Sequence, residues 1–403
     1  MVRIKDKNDL YRKIVLLILF FTAMNVFQMG TYLVFLLFFA VVLVDKRIKI
    51  DQTGLVLLLF AISYIVFCGI NGADFSTSLF RIAIFPLSYM IGLSLHKEAT
   101  EASIKKTVIF IAVAMASHAL VNFAYNMILE GEGAFSSGTS VDFGTGTVSA
   151  STGQASYYFF LIGVLPYVFY AIKENRARRA LLLVYIVSLF HDIALGGRTF
   201  IVLSVIGVLF GLVYSLSTTK SRSTIYRAVL IIALLVLALY VMFVFNVFGV
   251  RDFYESSYLY FRLYSIYSVS FFETSRMDRK LMYITNMFKY PFGGNHIKND
   301  LGVGYAHELW LDIFDEAGWI TYLLICLFTL MSVFRWIRLI RTAKDRNVSI
   351  LICGLLVVLL IAFFVEPILS GCPTVFAMYC IVDGMISSHL SRRAEIGNAE
   401  GET

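Results

Sequence analysis

The sequence predicts an all-α polytopic membrane protein of about twelve transmembrane helices, and three observations carry that prediction. Hydrophobic residues fill 59% of the 403 positions and charged residues only 15%, with a mean hydropathy of +0.79, so most of the surface must face lipid rather than water. Apolar runs recur from Ile14 to Ser388 with no polar stretch long enough to fold separately, which argues for one membrane domain over 1–403. Lys and Arg gather in short clusters between those runs, so the net charge of +7 reads as a record of membrane insertion and not as a nucleic-acid-binding face.

A helix needs roughly 20 apolar residues to cross about 30 Å of hydrocarbon. By that measure spans fall at 11–28, 31–45, 54–70, 79–95, 107–129, 154–172, 180–196, 199–217, 228–247, 318–336, 349–369 and 372–388. The first follows Arg3, Lys5, Lys7, Arg12 and Lys13 without a convincing small-residue cleavage site and is expected to remain as a helix. The first two share one apolar stretch broken only by Asn25, Gln28 and Gly30, which permits either a tight hairpin or one long tilted helix. The positive-inside rule selects the hairpin. It places both termini, and the clusters around Lys46, Lys105, Arg176, Arg222, Arg338 and Arg392, on the cytoplasmic side, while the connections 71–78, 130–153 and 370–371 contain no Lys or Arg. The five cysteines, Cys68, Cys326, Cys353, Cys372 and Cys380, lie in apolar runs or at their ends without metal or disulfide spacing and are expected to pack.

Two outer loops differ from the rest. Residues 130–153 are rich in Gly, Ser and Thr, which predicts a flexible segment, either a disordered connector or one that orders over a ligand. Residues 248–317 form the largest loop and break the charge rule with Arg251, Arg262, Arg276, Arg279, Lys280, Lys289 and Lys298. Long loops translocate regardless of charge, and anion binding is a reason for cations to be kept there. Tyr254, Tyr258, Phe261 and Tyr264 recur at helical spacing and predict an amphipathic helix in the interface.

Charges at membrane depth cost several kcal/mol and are functional candidates by default. Arg198 stands in the turn Gly196-Gly197-Arg198-Thr199, where glycines permit close approach of a ligand to backbone and guanidinium. Arg81 on the fourth span and Glu366 on the eleventh are further intramembrane charges, with Arg81 either touching an anionic ligand or closing a helix contact. His118, His191, His96, His296 and His389 read as packing or interface residues, with His191 and Asp192 placed to support the Arg198 turn.

Downstream, the segment Ser275 to Ile297 (SRMDRKLMYITNMFKYPFGGNHI) leads to Ala306-His307-Glu308 and then to Glu316-Ala317-Gly318 at the start of the tenth span. This order resembles the O-antigen polymerase and O-antigen ligase family of bacterial surface-polysaccharide assembly. In that pattern an Arg-bearing turn between two helices precedes a large loop carrying an Arg about fifteen residues before Pro-x-x-Gly, an Ala-His pair, and an acidic-x-Gly opening the next helix. Arg198, Arg276 before Pro291, His307, and Glu316 with Gly318 match it. Gly197 stands where the family usually has Ser, Glu308 where it usually has Asn, and Lys280 where an aromatic is common. Glu308 is therefore expected to alter the orientation or basicity of His307.

The resemblance implies a GT-C-like fold, a bacterial inner-membrane location and an outward-facing active site. It further implies transfer of a glycan from an undecaprenyl-diphosphate-linked donor to a sugar hydroxyl without metal or other cofactor. Arg198 and Arg276 would neutralise the diphosphate through bidentate bonds. His307 would deprotonate the acceptor. Arg81, Gly196, Gly197, Thr199, Arg279 and Glu308 would contribute to substrate binding. Expected partners are the lipid-linked donor, the glycan acceptor and membrane lipids, with a chain-length regulator as an optional one and no nucleic acid. Polymerisation of repeat units is the leading activity, ligation onto lipid A core shares its catalytic residues, and a secondary transporter is the reading from another class. Internal repeats and charges at the bilayer midplane, which a transporter should show, are not evident in the sequence.

Overall fold

A computed structural model describes residues 7–45, 48–95, 100–131, 134–135, 137–172, 174–217, 237, 240–267 and 275–401. The chain forms an all-α membrane protein. Its helices are α1 (Lys7–Met24), α2 (Gly30–Asp45), α3 (Gln52–Ile70), α4 (Phe75–Ser94) and α5 (Glu101–Glu130), then α6 (Ser151–Ser156), α7 (Phe159–Tyr170), α8 (Asn175–Ala194) and α9 (Thr199–Ser217). There follow α10 (Val250–Ser256), α11 (Tyr258–Tyr267), α12 (Ser275–Asn286), α13 (His296–Asp300), α14 (Leu309–Thr342), α15 (Arg346–Val365), α16 (Ile368–Gly371) and α17 (Pro373–Gly401). Among the described residues six helices, α3, α4, α5, α9, α14 and α15, are long and apolar enough to cross a membrane, and the shorter apolar stretches Lys13–Met24, Gly30–Leu43 and Phe159–Tyr170 accompany them. The expected ninth span, 228–247, lies largely outside the described residues.

The helices keep one stripe dry and give another to lipid. On α14, Ile320, Leu323, Leu327, Leu330 and Phe334 are exposed while Ile325, Phe328, Ser332 and Trp336 are buried, an alternation of helical period with apolar residues on both sides. In water the exposed stripe would be a liability; in hydrocarbon it is the solvated face. With little hydrophobic force between helices in lipid, close packing falls to small residues. Gly92 of α4 and Gly384 of α17 face each other's backbones, at Ile381 O and Tyr89 O, with no room for a Cβ on either.

The first two helices form the hairpin. Asn25, Phe27 and Gln28 adopt positive φ (51°, 52° and 56°), the Gly30 N–H donates to Asn25 Oδ1 at 2.8 Å, and α1 packs back on α2.

The Gly/Ser/Thr-rich loop departs from expectation. Its residues 139–150 form a hairpin, β1 (Thr139–Val141) antiparallel to β2 (Val148–Ala150), with Ser140 opposite Ser149. Three buried polar residues of α5 hold it. Asn126 bonds Val141 in both directions at 2.8 Å, Asn122 Oδ1 accepts from the Phe143 N–H at 2.9 Å, and His118 Nε2 lies 3.2 Å from Asp142 Oδ2. Burial raises the Asp142 carboxyl, but His118 and the amides of Thr145 and Gly144 outweigh it and hold the pKa well below the usual carboxylate range. Composition suggested flexibility because it registers the loop's own residues and not the asparagines 14 to 21 positions away that bind it.

The expected aromatic helix is also modified. It breaks at Ser257, extended at φ −76°, ψ 151°, into α10 and α11, which leaves Phe261 and Tyr264 exposed and seats Tyr258 against Gly138.

Candidate functional site

Several segments converge at the end of the bundle where α9, α14 and α17 begin and α15 stops. On α12, Arg276, Arg279 and Lys280 stand three and four residues apart and so share a face. That face meets the C-terminus of α15, whose last carbonyls have no partner within the helix. Arg276 Nη1 donates to Val365 O at 3.2 Å, and Lys280 Nζ donates to Phe364 O. Beyond them Glu366 leaves the helix at φ −130°, ψ 147°, as Pro367 demands of the residue before it. Its side chain is almost fully buried, with Oε1 4.0 Å from Arg276 Nη1. The same Oε1 accepts the hydroxyl proton of Thr199. Because Thr199 opens α9, Glu366 joins the Arg198 turn to α12.

His307 enters from the opposite side with φ +58°, a conformation uncommon for any residue but glycine. Asp312, one turn into α14, imposes it. The Ala306 N–H donates to Asp312 Oδ1 at 2.8 Å and the Glu308 N–H to Oδ2 at 3.3 Å, so one carboxylate grips both neighbours of the histidine. The imidazole Nε2 lies 3.4 Å from Arg279 Nη1. A guanidinium only donates, which assigns the lone pair to Nε2 and the ring proton to Nδ1, a buried atom with no hydrogen-bond partner among the described residues. Burial, then the charges of Arg276, Arg279 and Lys280, push the His307 pKa down from 6.5 to about 4. The ring is therefore neutral at physiological pH, beside three cationic side chains.

Glu308 does not orient His307 through its side chain. It pairs with Lys280 at 3.4 Å; burial raises its pKa, and Lys280 partly opposes that. At the glycine turn, Gly196 has φ +73°, and a Cβ on Gly197 would collide with the Asp192 carboxylate. The close approach that Gly197 permits is thus to Asp192 of the same chain and not to a ligand. Arg198 itself is half-buried. His191 packs, with Nδ1 2.6 Å from the Tyr158 hydroxyl and its ring against Phe123 and Phe135.

Arg81 belongs to a different cluster. It closes a helix contact, with Nη2 3.2 Å from Glu316 Oε1 and Nη1 3.3 Å from the Tyr64 hydroxyl, which donates to Glu316 Oε2. The Glu316-Ala317-Gly318 motif interlocks there with Pro291-Phe292-Gly293-Gly294. Gly318 breaks α14 at φ 74°, ψ −172°, with Pro291 O 2.5 Å from where its Cβ would stand, and the Trp319 N–H donates to Pro291 O at 2.9 Å. Asp315 caps α13 through the amides of Ile297 and Lys298 at 2.9 and 3.1 Å. The two glycine motifs, 24 residues apart at Gly294 and Gly318, thus pack backbone to backbone.

No known protein family matches the chain, and neither does any curated protein. Among the described residues no three His, Cys, Asp or Glu side chains gather as a metal site would require.

Asp312 escaped sequence reasoning because a carboxylate in the first turn of a helix is ordinary; only its two acceptor contacts distinguish it. Asp312→Ala removes acceptors from two amides at once, and such losses cost about 1–3 kcal/mol. A lower midpoint of thermal unfolding in detergent is the expected result, with Asp312→Asn, which keeps one acceptor oxygen, intermediate.

Proposed function

We propose that this chain is a glycosyltransferase of the bacterial inner membrane, with about twelve spans and cytoplasmic termini, that polymerises undecaprenyl-diphosphate-linked oligosaccharide repeat units at the periplasmic face. The observation that carries this reading is the meeting of Arg276 and the Arg198-Thr199 turn on Glu366, with Arg279 of the same cationic face against His307.

The chemistry follows from charge. The acceptor oxygen attacks the anomeric carbon of the donor, its proton passes to the His307 Nε2 lone pair as Arg279 turns from that nitrogen to the diphosphate, and the bond from that carbon to the diphosphate oxygen breaks on the opposite face, which inverts configuration. Arg276, Arg279 and Lys280, with Arg198, take the negative charge that develops on the leaving group. Without substrate these cations suppress the basicity of His307. A diphosphate among them reverses that effect, because opposite charges favour imidazolium. The base thus strengthens as the donor arrives, which disfavours proton uptake in its absence.

The test is polysaccharide length on gels from a deletion strain complemented with wild type, Arg198→Ala, Arg276→Ala or His307→Ala, with membrane levels matched. Deletion is expected to leave a single repeat unit on lipid A core, and the three variants to restore no polymer. Long unattached polymer in the deletion strain would mean ligase instead, and full restoration by all three variants would refute the catalytic assignment.

A further inference from the structure

A second polar space lies beside the His307 turn. A cavity of about 260 Å³ is walled by Asp74, Thr77 and Arg81 at the start of α4, by Asn295 and Lys298 at α13, and by Tyr305. It is slightly smaller than the roughly 300–1,000 Å³ of sites for drug-sized ligands, a scale suited to one sugar ring and not to a polyprenyl chain.

Its lining differs from the cationic face of α12. Arg81 is already paired with Glu316. Asp74 Oδ2 accepts from the Ser76 hydroxyl at 2.6 Å and from the amide and hydroxyl of Thr77 at 2.7 and 2.8 Å, while Oδ1 accepts none of these three. Lys298 Nζ sits 3.9 Å above the Tyr305 ring and makes no ion pair among the described residues. A carboxylate, an ammonium, a primary amide and a tyrosine together present both acceptors and donors beside an aromatic ring. That is the chemistry that recognises a ring of hydroxyls, whereas the α12 face, with three cations in two helical turns, is the one suited to a diphosphate.

The position is as informative as the lining. Tyr305 and His307 are two residues apart, and a chain spans at most about 7 Å over that separation. Ala306 between them is fully buried and anchored on Asp312 at 2.8 Å, so the turn holds Tyr305 in the cavity wall and His307 against Arg279 in fixed relation. A sugar seated on Tyr305 would therefore lie beside the turn that carries the histidine.

We propose that this cavity seats the acceptor sugar, a carbohydrate-only site distinct from the diphosphate site; the inference rests on the transferase reading above. The experiment is a crossed binding measurement on purified full-length protein. One probe is undecaprenyl diphosphate, and the other is the repeat-unit oligosaccharide freed from the lipid pool of the deletion strain. Lys298→Ala and Tyr305→Ala are expected to weaken oligosaccharide binding at least about ten-fold, equivalent to 1.4 kcal/mol, and to leave undecaprenyl diphosphate unaffected, whereas Arg276→Ala does the reverse. Oligosaccharide binding unchanged in both cavity variants, or lost together with lipid binding, overturns the proposal. So does a wild-type protein that binds the lipid but no oligosaccharide, an outcome that leaves the transferase reading standing. Failure of wild type to bind either probe removes both.

Discussion

His307→Ala is expected to lower the transfer rate by about 10²–10⁴-fold, the usual contribution of a positioned general base, while undecaprenyl diphosphate still binds. The pH dependence gives a sharper result. In the proposed mechanism the reactive form is the neutral imidazole, so activity is expected above the pKa and is expected to be lost as pH falls through it. In the free protein that pKa is pushed down to about 4 by burial and by Arg276, Arg279 and Lys280, so kcat/KM, which reports the free enzyme, should hold through pH 6 and 5 and fall only near 4. With the diphosphate bound, the same cations are neutralised, and the acidic limb of kcat should lie at higher pH, toward the ordinary 6.5. Arg279→Gln removes one suppressing charge and is expected to move the kcat/KM limb upward. Steady-state rates on a lipid-linked repeat unit in nanodiscs between pH 4 and 8 measure all three quantities. A histidine with only a packing role would leave the limbs of kcat and kcat/KM coincident and unmoved by Arg279→Gln.

The largest effect on stability is expected at the opposite end of the bundle. Arg335 Nη2 lies 2.6 Å from Asp383 Oδ2, its Nη1 donates to Thr53 Oγ1 at 2.6 Å, and the Trp336 indole donates to Asp383 Oδ1 at 2.9 Å. Asp383 is fully buried. Asp51 extends the group by accepting from the Tyr89 hydroxyl at 2.8 Å and the Ser387 hydroxyl at 2.6 Å, so α3, α4, α14 and α17 are tied together. Asp383→Ala leaves a guanidinium with no counter-charge closer than Asp51, 4.0 Å away. Breaking one side of a buried pair costs about 3–5 kcal/mol, a large part of a membrane protein's margin. Loss of the monodisperse species in detergent, or a large drop in unfolding temperature, is the expected readout. Replacing both partners with apolar residues of similar size should recover most of that loss, since burying an ion pair costs nearly what it returns. An unfolding temperature for Asp383→Ala within a degree of wild type would show that the pair does not hold the helices.

Much of this molecule was legible in its sequence. The apolar runs marked helices that the structure contains, and Asn25, Gln28 and Gly30 marked a hairpin that Asn25 closes. Arg276, Arg279 and Lys280 stood out as cations in an outer loop, and the structure puts them on one helical face. Where reading along the chain failed, the deciding partner was distant. The loop at 139–150 looked flexible because Asn122 and Asn126 belong to α5. Gly197 looked like room for a ligand because nothing local says that the Asp192 carboxylate fills it. Asp383 drew no notice at all, though a buried carboxylate in an apolar run is as much a signal as Arg81 was.

What the sequence determined by itself is the class of the protein, its helices and the residues able to carry charge at membrane depth, because lipid solvation and helical periodicity act on each segment separately. Only the tertiary structure decided that Thr199 and Arg276 share Glu366, 167 and 90 positions away in sequence, that Asp312 sets the backbone of His307, and that Arg81 faces a second cavity with Glu316. Those outcomes depend on which buried charge finds which counter-charge. In a medium of low dielectric that choice is strongly constrained in energy, but it is settled only by contacts between segments far apart in the chain.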